Sequence, residues 1–391
     1  MWGKRSLSKK KNNFSLFIGL LLFFLYSCSP KPFYKEKNLR SSLELTQNAN
    51  PKYTFYLVGD AGKSTDSSLV FKVLKNLLSK EKNDQHTTVF LGDNIYFYGL
   101  PEENAKDYPE AKKRLDAQIQ AVKSSKGNTI FIPGNHDWAL DGKDGWNAIK
   151  RQQKYIENTL GENSFFPKNG CPGPELVHVT NEFAFIIYDS QWWIHPHEKP
   201  DSTLCKTASQ SKFLDEMKKL IEENKDKIVI INGHHPFYSC SSHGGRFTIK
   251  EHLFPLRFLN AHLYIPLPII GSGLILARYL AKHPSDSWNP RYKQLKNQLL
   301  PIFETHPHLI YVSGHDHNLQ YRKQNSVHHI ISGSGSKISE AGKSKKWEFT
   351  YSNYGFAIIK VFDNKKTDLE FWSVDKKNPN GKLVYRKNII P

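Results

Sequence analysis

Cysteine is scarce in this chain, with four in 391 residues. That is too few for a disulfide-built scaffold, so core burial must carry the folding. Acidic residues are outnumbered, 37 Asp and Glu against 55 Lys and Arg, for a net charge of +18. The basic excess is scattered rather than gathered into a stripe, and no nucleic-acid-binding motif accompanies it. A solvated basic surface is therefore expected, without a specific nucleic-acid partner. There is no internal repeat and no break marking a second domain, so residues 53–391 read as one large domain. No feature of the sequence sets an oligomeric state.

Lys4, Arg5, Lys9, Lys10 and Lys11 precede an apolar run at residues 14–26, followed by Ser27 and Cys28. The run is short for a comfortable membrane span, and the order is that of an export leader. Residues 1–27 read as a lipoprotein-type signal peptide. Residues 25–28, LYSC, resemble a bacterial lipobox in which Cys28 is lipidated and becomes the N-terminus. Tyr26 is an imperfect fit to that box, and an uncleaved N-terminal anchor is the alternative. Either reading places the domain on the membrane of a bacterial cell envelope, in the periplasm or at the cell surface. Without the leader the chain keeps 50 basic residues against 37 acidic, still +13. Residues 28–52 are polar and Lys-rich and suit a tether. Cys171 and Cys205 flank a strand-like run at 182–188 and can staple two loops in an oxidising compartment. Cys240 is left as an idle thiol.

The chain is organised around residues 87–99, TTVFLGDNIYFYG. An apolar run stops at Gly92, Asp93 and Asn94, as a buried strand does when it opens into a loop, and Tyr96 follows three residues after the aspartate. A carboxylate has two oxygens, so Asp93 can bridge two cations while Tyr96 offers a phenolate to one. Four more apolar runs end the same way: TFYLVGDAG at Asp60, NTIFIPGNHDW at Asn135 and His136, 227–232 at His234, and 308–313 at His315 and His317. Helical spacing of apolar residues predicts helices over 67–80, 107–123 and 211–224. Alternating strands and helices imply a largely parallel sheet whose sites gather beyond the carboxyl ends of its strands. One such turn is ordinary, but six ligand-type residues on equivalent strand ends are not a chance arrangement.

In this order, GDAG, GDNIYFYG, GNHD, GHHP and GHDHNLQY resemble the five blocks of the calcineurin-like metallophosphoesterases. More closely they resemble the mammalian-type, tartrate-resistant purple acid phosphatases, over about 53–335. The resemblance implies an α/β fold, a four-layer α/β/β/α sandwich with two mixed sheets. It assigns Asp60, Asp93, Tyr96 and His317 to a ferric iron, and Asp93 (as bridge), Asn135, His234 and His315 to a divalent Fe, Zn or Mn. Many relatives carry histidine two residues after the first aspartate, where this chain has Gly62, and Tyr96 stands where the purple branch supplies tyrosinate. His136, oriented by Asp137, and His243 match histidines that face the phosphate. The alternating residues of GFAIIKVF and LEFWSV suit the second sheet.

These ligand types suit the chemistry implied. Carboxylate and phenolate oxygens favour a trivalent ion, and the Asn and two His favour a divalent one. Two cations clamp both sides of a displacement at phosphorus and lower the pKa of bound water. The expected function is an exported phosphomonoesterase that uses a metal-activated hydroxide at a dinuclear centre. Phosphodiesterase or lipid phosphatase activity at the same site is the alternative among enzymes. A non-catalytic surface lipoprotein that binds metal or phosphate is the alternative outside them.

Residues 247–290 depart from the compact pattern as an insertion. It contains HLYIPLPIIGSGLILARYL, about the length of a membrane span but broken by Pro266, Pro268, Gly271 and Gly273. A single crossing would separate His315 and His317 from Asp60, Asp93 and Asn135. The segment is therefore a helical cap on the domain, or an interfacial element over 262–280 dipping into the membrane beside the lipid anchor.

Overall fold

In the computed structural model, which describes residues 31–36, 50–258 and 263–391, strands with apolar residues on both faces sort into two sheets. The eight-stranded sheet runs, in spatial order, β1 (Phe33–Tyr34), β11 (Phe349–Tyr351), β9 (Leu319–Gln324), β10 (Val327–Ser332), β8 (Leu309–Ser313), β7 (Ile228–Asn232), β6 (Phe183–Ile187) and β5 (Glu175–Val179). The six-stranded sheet runs β14 (Asn378–Ile390), β13 (Thr367–Asp375), β12 (Tyr354–Val361), β2 (Tyr53–Val58), β3 (His86–Phe90) and β4 (Asn128–Phe131). In the six-stranded sheet β2, β3 and β4 run parallel, with β4 at one edge, and β12 to β14 add antiparallel strands on the other side; in the eight-stranded sheet β6, β7, β8 and β10 run parallel in the middle and antiparallel strands complete both edges.

Period-2 alternation explains the layering. Tyr53, Phe55 and Leu57 of β2 face the other sheet, in one cluster with Phe185, Ile230, Ile310 and Val312. Tyr56 and Val58 face the opposite way, into a cluster with helix residues Val70, Val73 and Leu74. Both faces of the strand are thus covered, which is why all six of its residues are buried.

The helices are α1 (Leu69–Leu78), α2 (Tyr108–Val122), α3 (Gly145–Leu160), the short α4 (Ser190–Ile194), α5 (Gln210–Glu223), the short α6 (Ile249–Leu253), α7 (Pro268–Leu280) and α8 (Pro290–Phe303). α1, α2 and α5 fall where apolar spacing predicts them. α3 and α8 were not expected as helices: α3 shows only a few apolar residues among polar ones, such as Ala148, Ile149 and Ile156, and α8, although Tyr292, Leu295, Leu299 and Ile302 have helical spacing, carries Pro301 inside it. The four-layer α/β/β/α arrangement with two mixed sheets is as expected from the family resemblance.

The assignment of strands to sheets differs from expectation. The five ligand-bearing strands do not share one sheet, and β12 and β13 do not build the second. β12 pairs antiparallel with β2 and extends the sheet of the first three ligand strands, while β7 and β8 lie in the other. Apolar alternation sets which way a side chain points, not which neighbour a strand takes. A second difference lies in the polar stretch 28–52. Phe33 and Tyr34 are not tether but an edge strand on β11, where the Tyr34 ring packs at a tilt against Phe349 and its hydroxyl donates to the Val384 carbonyl at 2.7 Å. Cys28, the expected leader at 1–27 and most of the remaining stretch expected to be a tether lie outside the described residues.

Cys171 and Cys205 form a disulfide across 34 residues of chain, and Cys240 is a buried free thiol. Closing a loop of that length restricts the unfolded chain by about 3 to 4 kcal/mol. The double replacement Cys171→Ser with Cys205→Ser is therefore expected to lower unfolding stability by about 3 kcal/mol, read by chemical denaturation under non-reducing conditions. The loss should match that caused by reductant in the unsubstituted protein.

Candidate metal centre

Five strands end at one place because their sheets face each other there. β2, β3 and β4 deliver Asp60, Asp93 and Asn135 from the six-stranded sheet, and β7 and β8 deliver His234 and His315 from the eight-stranded one. Asp60, Asp93 and His315 have φ of 58°, 53° and 71°. This left-handed backbone is costly for residues other than glycine, and it is held here by the sharp turns that aim these side chains back over the strand ends.

Two groups of donors result, and Asp93 belongs to both. Ligand atoms of Asp93, His234 and His315 lie within 4.8 Å of one another, as do those of Asp60, Asp93 and His317. Asn135 Oδ1 joins the first group, 3.1 Å from His234 Nε2 and 3.0 Å from His315 Nδ1. The Tyr96 hydroxyl joins the second, 3.0 Å from Asp60 Oδ1 and 3.2 Å from His317 Nε2. All seven side chains named for metal in the sequence are thus brought together.

Imidazole orientation is fixed from behind. His234 Nδ1 donates to the Leu91 carbonyl at 2.8 Å, leaving Nε2 to face Asp93 and Asn135. His315 Nε2 donates to the Ser285 carbonyl at 2.6 Å, leaving Nδ1 to face the same point. Such anchoring selects the tautomer that presents a lone pair to a cation. The carboxylates are held likewise. Asp60 Oδ2 accepts from the His315 amide at 2.7 Å and Asp93 Oδ1 from the His136 amide at 2.9 Å.

The electrostatics fit cations. Burial, with the Asp93 charge beside it, pushes the Asp60 carboxyl well above the usual carboxylate range. Burial also works to raise Asp93, but His234 and His136 outweigh it and hold Asp93 well below that range. His234 rises to about 9 against its own burial, because of Asp93. Protein groups alone thus favour the neutral acid at Asp60 and the anion at Asp93 beside His234, and nearby cations would favour the charged form of both carboxyls.

Glycines make the close approaches possible. Gly92 has φ +88°, and a Cβ on it would meet His234 Nδ1 at 2.6 Å. A Cβ on Gly134 would meet both the amide and Oδ1 of Asp93 at 2.4 Å. Gly134→Ala is therefore expected to displace the shared carboxylate and cut bound metal by at least about tenfold, the scale of a disturbed ligand support. Metal analysis after dialysis checks this, with circular dichroism as the control for folding. Gly62 sits against the same turn, where a Cβ would lie 2.6 Å from the Asp93 carbonyl. The backbone of residues 93–95 leaves no room for a side chain at that position.

Asp137 does not orient His136. Its carboxylate accepts from the amides of Gly134 at 2.8 Å, Asn94 at 3.0 Å and Ile95 at 3.2 Å. It therefore shapes the turn that carries Asp93. His136 is oriented by the Phe97 carbonyl, to which its Nδ1 donates at 2.8 Å. Adjacency in sequence was misleading because Asp137 points back under the loop.

His243 Nδ1 donates to Asp286 Oδ1 at 2.9 Å, and Arg278 holds both oxygens of Asp286, at 2.6 and 2.7 Å. Arg278, Ser285 and Asp286 come from the insertion and were not foreseen. Lys337 was also missed, although it follows the Gly333–Gly335 turn; its ammonium lies 4.3 Å from the Tyr96 ring centroid. His136, His243, Arg278 and Lys337 line a cavity of about 590 Å³ above the ligands.

Comparison with known proteins agrees with this geometry. The chain is 22% identical to purple acid phosphatase 4 of Arabidopsis thaliana over 382 residues, covering 91% of this chain and 92% of that one. It is 20% identical to tartrate-resistant acid phosphatase type 5 of Homo sapiens, covering 83% and 88%. Among solved structures, GAP50, described as the anchor in the inner membrane complex of Plasmodium, shares the fold with a TM-score of 0.50 at 19% identity, covering 87% of this chain and 89% of that one. Residues 53–333 match the model of the calcineurin-like phosphoesterases. Because that match runs from the strand before Asp60 to the turn beyond His317, the chain belongs to the calcineurin-like phosphoesterase family and resembles its purple acid phosphatases.

Proposed function

We propose that this protein is an exported, membrane-held phosphomonoesterase. The observation that carries the reading is the reach of Asp93 into two separate donor groups, with a cavity of about 590 Å³ above them that has room for a phosphoryl group and its leaving group. Asp60, Asp93, Tyr96 and His317 would hold a ferric ion; Asp93, Asn135, His234 and His315 would hold divalent Fe, Zn or Mn. When bound, such a pair supplies Lewis acidity toward phosphoryl oxygens and a more acidic water.

The remaining work belongs to the chain. Asp93 is shared and its turn is braced by Asp137, so the spacing of the two donor groups is set before substrate arrives. His136, with Nδ1 committed to Phe97, keeps Nε2 on the cavity side, 3.9 Å from Asp93 Oδ2. From there it can hydrogen-bond a phosphoryl oxygen. His243, backed by Asp286 and Arg278, is placed to hand a proton to the leaving oxygen. Arg278 and Lys337 add positive charge around the developing negative charge at phosphorus.

Export, lipidation at Cys28 and the phosphate-monoester class rest on sequence order and on relatives. The test is metal analysis beside a panel of monoesters and diesters. About two metals per chain with monoester turnover supports the proposal; diester preference moves it to a phosphodiesterase. Metal or phosphate binding without any turnover moves it to a binding lipoprotein.

A further inference from the structure

α7 is an apolar helix left in the open. Of its thirteen residues only Gly271 is buried, pressed against α6, where a Cβ would meet the His252 carbonyl at 2.1 Å. Ile269 is 87% exposed, Leu280 68% and Leu276 57%, and the preceding loop adds Tyr264 and Ile265 at 44% and 49%. Its one charged residue, Arg278, turns inward to Asp286. A helix apolar around most of its circumference is not stable against bulk water without a cover, and a contiguous patch of this kind marks a binding surface.

Three observations indicate what covers it. The patch is continuous with the active site, because Leu274 and Ile275 of the same helix line the cavity that holds Asp93 and His243. The cavity is two-faced, with metal-ligand side chains on its floor and Phe97, Leu140, Phe247, Leu274 and Ile275 along its wall. The segment 246–283 carries five Lys and Arg against one Glu; Lys250 and Arg257 pair with Glu340 and Arg278 with Asp286, and with those two carboxylates counted the patch still keeps a positive sign, which complements an anionic lipid surface. α7 spans about 20 Å at 1.5 Å per residue, and among the described residues no helix is long and apolar enough to cross a membrane. Lying in the interface suits its length.

We propose that α7 and the loop before it sit in the headgroup region of a membrane, and that the site takes a phosphate monoester carried on a lipid. The phosphate rests on the Asp93 floor and the apolar part runs along the Leu274 wall. This rests on the phosphomonoesterase reading above and names its substrate class. In the reaction, water oxygen forms a bond to phosphorus and the phosphorus–oxygen bond to the lipid breaks. The leaving oxygen takes a proton, giving a lipid alcohol and inorganic phosphate with no change of oxidation state.

The test uses the full chain with p-nitrophenyl phosphate, glycerol 3-phosphate, its dibutanoyl and dioctanoyl derivatives, and dioleoyl phosphatidate in anionic vesicles. Because each buried methylene contributes several-fold, kcat/KM is expected to rise at least about tenfold from glycerol 3-phosphate to the dioctanoyl derivative. The triple variant Ile269→Ser, Leu276→Ser, Leu280→Ser changes exposed residues only. It is expected to lose about tenfold or more on the vesicle substrate with kcat/KM for p-nitrophenyl phosphate unchanged, which also reports intact folding. Any N-terminal anchor is common to both proteins, so the difference belongs to α7. If p-nitrophenyl phosphate is hydrolysed but acyl chains give no gain and the variant matches the parent on vesicles, the lipid inference falls while the phosphatase reading stands. If the variant instead changes from dimer to monomer in sedimentation with lipid turnover unaltered, the patch is a subunit face and the inference is overturned. Absence of turnover on every phosphomonoester removes the phosphatase reading itself.

Discussion

Asp93→Asn is expected to reduce turnover of p-nitrophenyl phosphate by at least about 10³-fold, beyond the 10- to 100-fold typical of losing a group that merely supports a metal ligand. Asn is nearly isosteric and keeps one oxygen, so the hydrogen bond from the His136 amide at 2.9 Å can persist. What it loses is the second anionic oxygen, and among the described residues only Asp93 belongs to both donor groups. Metal content should fall from about two ions per chain toward one or none, with the circular dichroism spectrum retained. A variant that keeps both metals and most of its activity would refute the shared-carboxylate arrangement.

Tyr96→Phe is expected to abolish a broad visible absorption band that the purified, iron-loaded protein should show, because that band would arise from phenolate bound to ferric iron. The substitution removes one oxygen and keeps the ring, whose packing against His136 at 4.4 Å between centroids and beneath the Lys337 ammonium at 4.3 Å is unaffected. Loss of the hydroxyl also frees Asp60 Oδ1 of a 3.0 Å hydrogen bond. Iron content is expected to fall several-fold, on the scale of losing a supporting partner or more, while Asn135, His234 and His315 retain their geometry. A parent protein that is active, colourless and free of iron would move the chain to the general metallophosphoesterases and leave Tyr96 as a buried hydrogen-bonding residue.

Much of the site was legible because Asp60, Asp93, Asn135, His234 and His315 each follow a separate apolar strand by two to four residues. Asp60 after Val58 and His315 after Ser313 can be read without knowing any partner, since strand and turn are set by local sequence. The supporting residues were not legible. His315 is oriented by the Ser285 carbonyl thirty residues away, and His243 by Asp286 at a separation of 43. No spacing rule connects such pairs. Where a neighbour in sequence was used to assign a role, as with Asp137 and His136, the loop turned the two side chains to different tasks.

What the sequence determined by itself was the chemistry at each strand end: which oxygens and nitrogens are offered, and the apolar runs that must be buried on both faces. What only the tertiary structure decided was how the strands divide, three ligand strands in one sheet and two in the other, with β12 to β14 extending the first. It also decided that an exposed apolar helix should form one wall of the cavity. The physical reason is that burial drives every such strand inward without naming its neighbour. Pairing, and with it the meeting of Asp93 with His234 and His317, emerges only when both sheets close on one another.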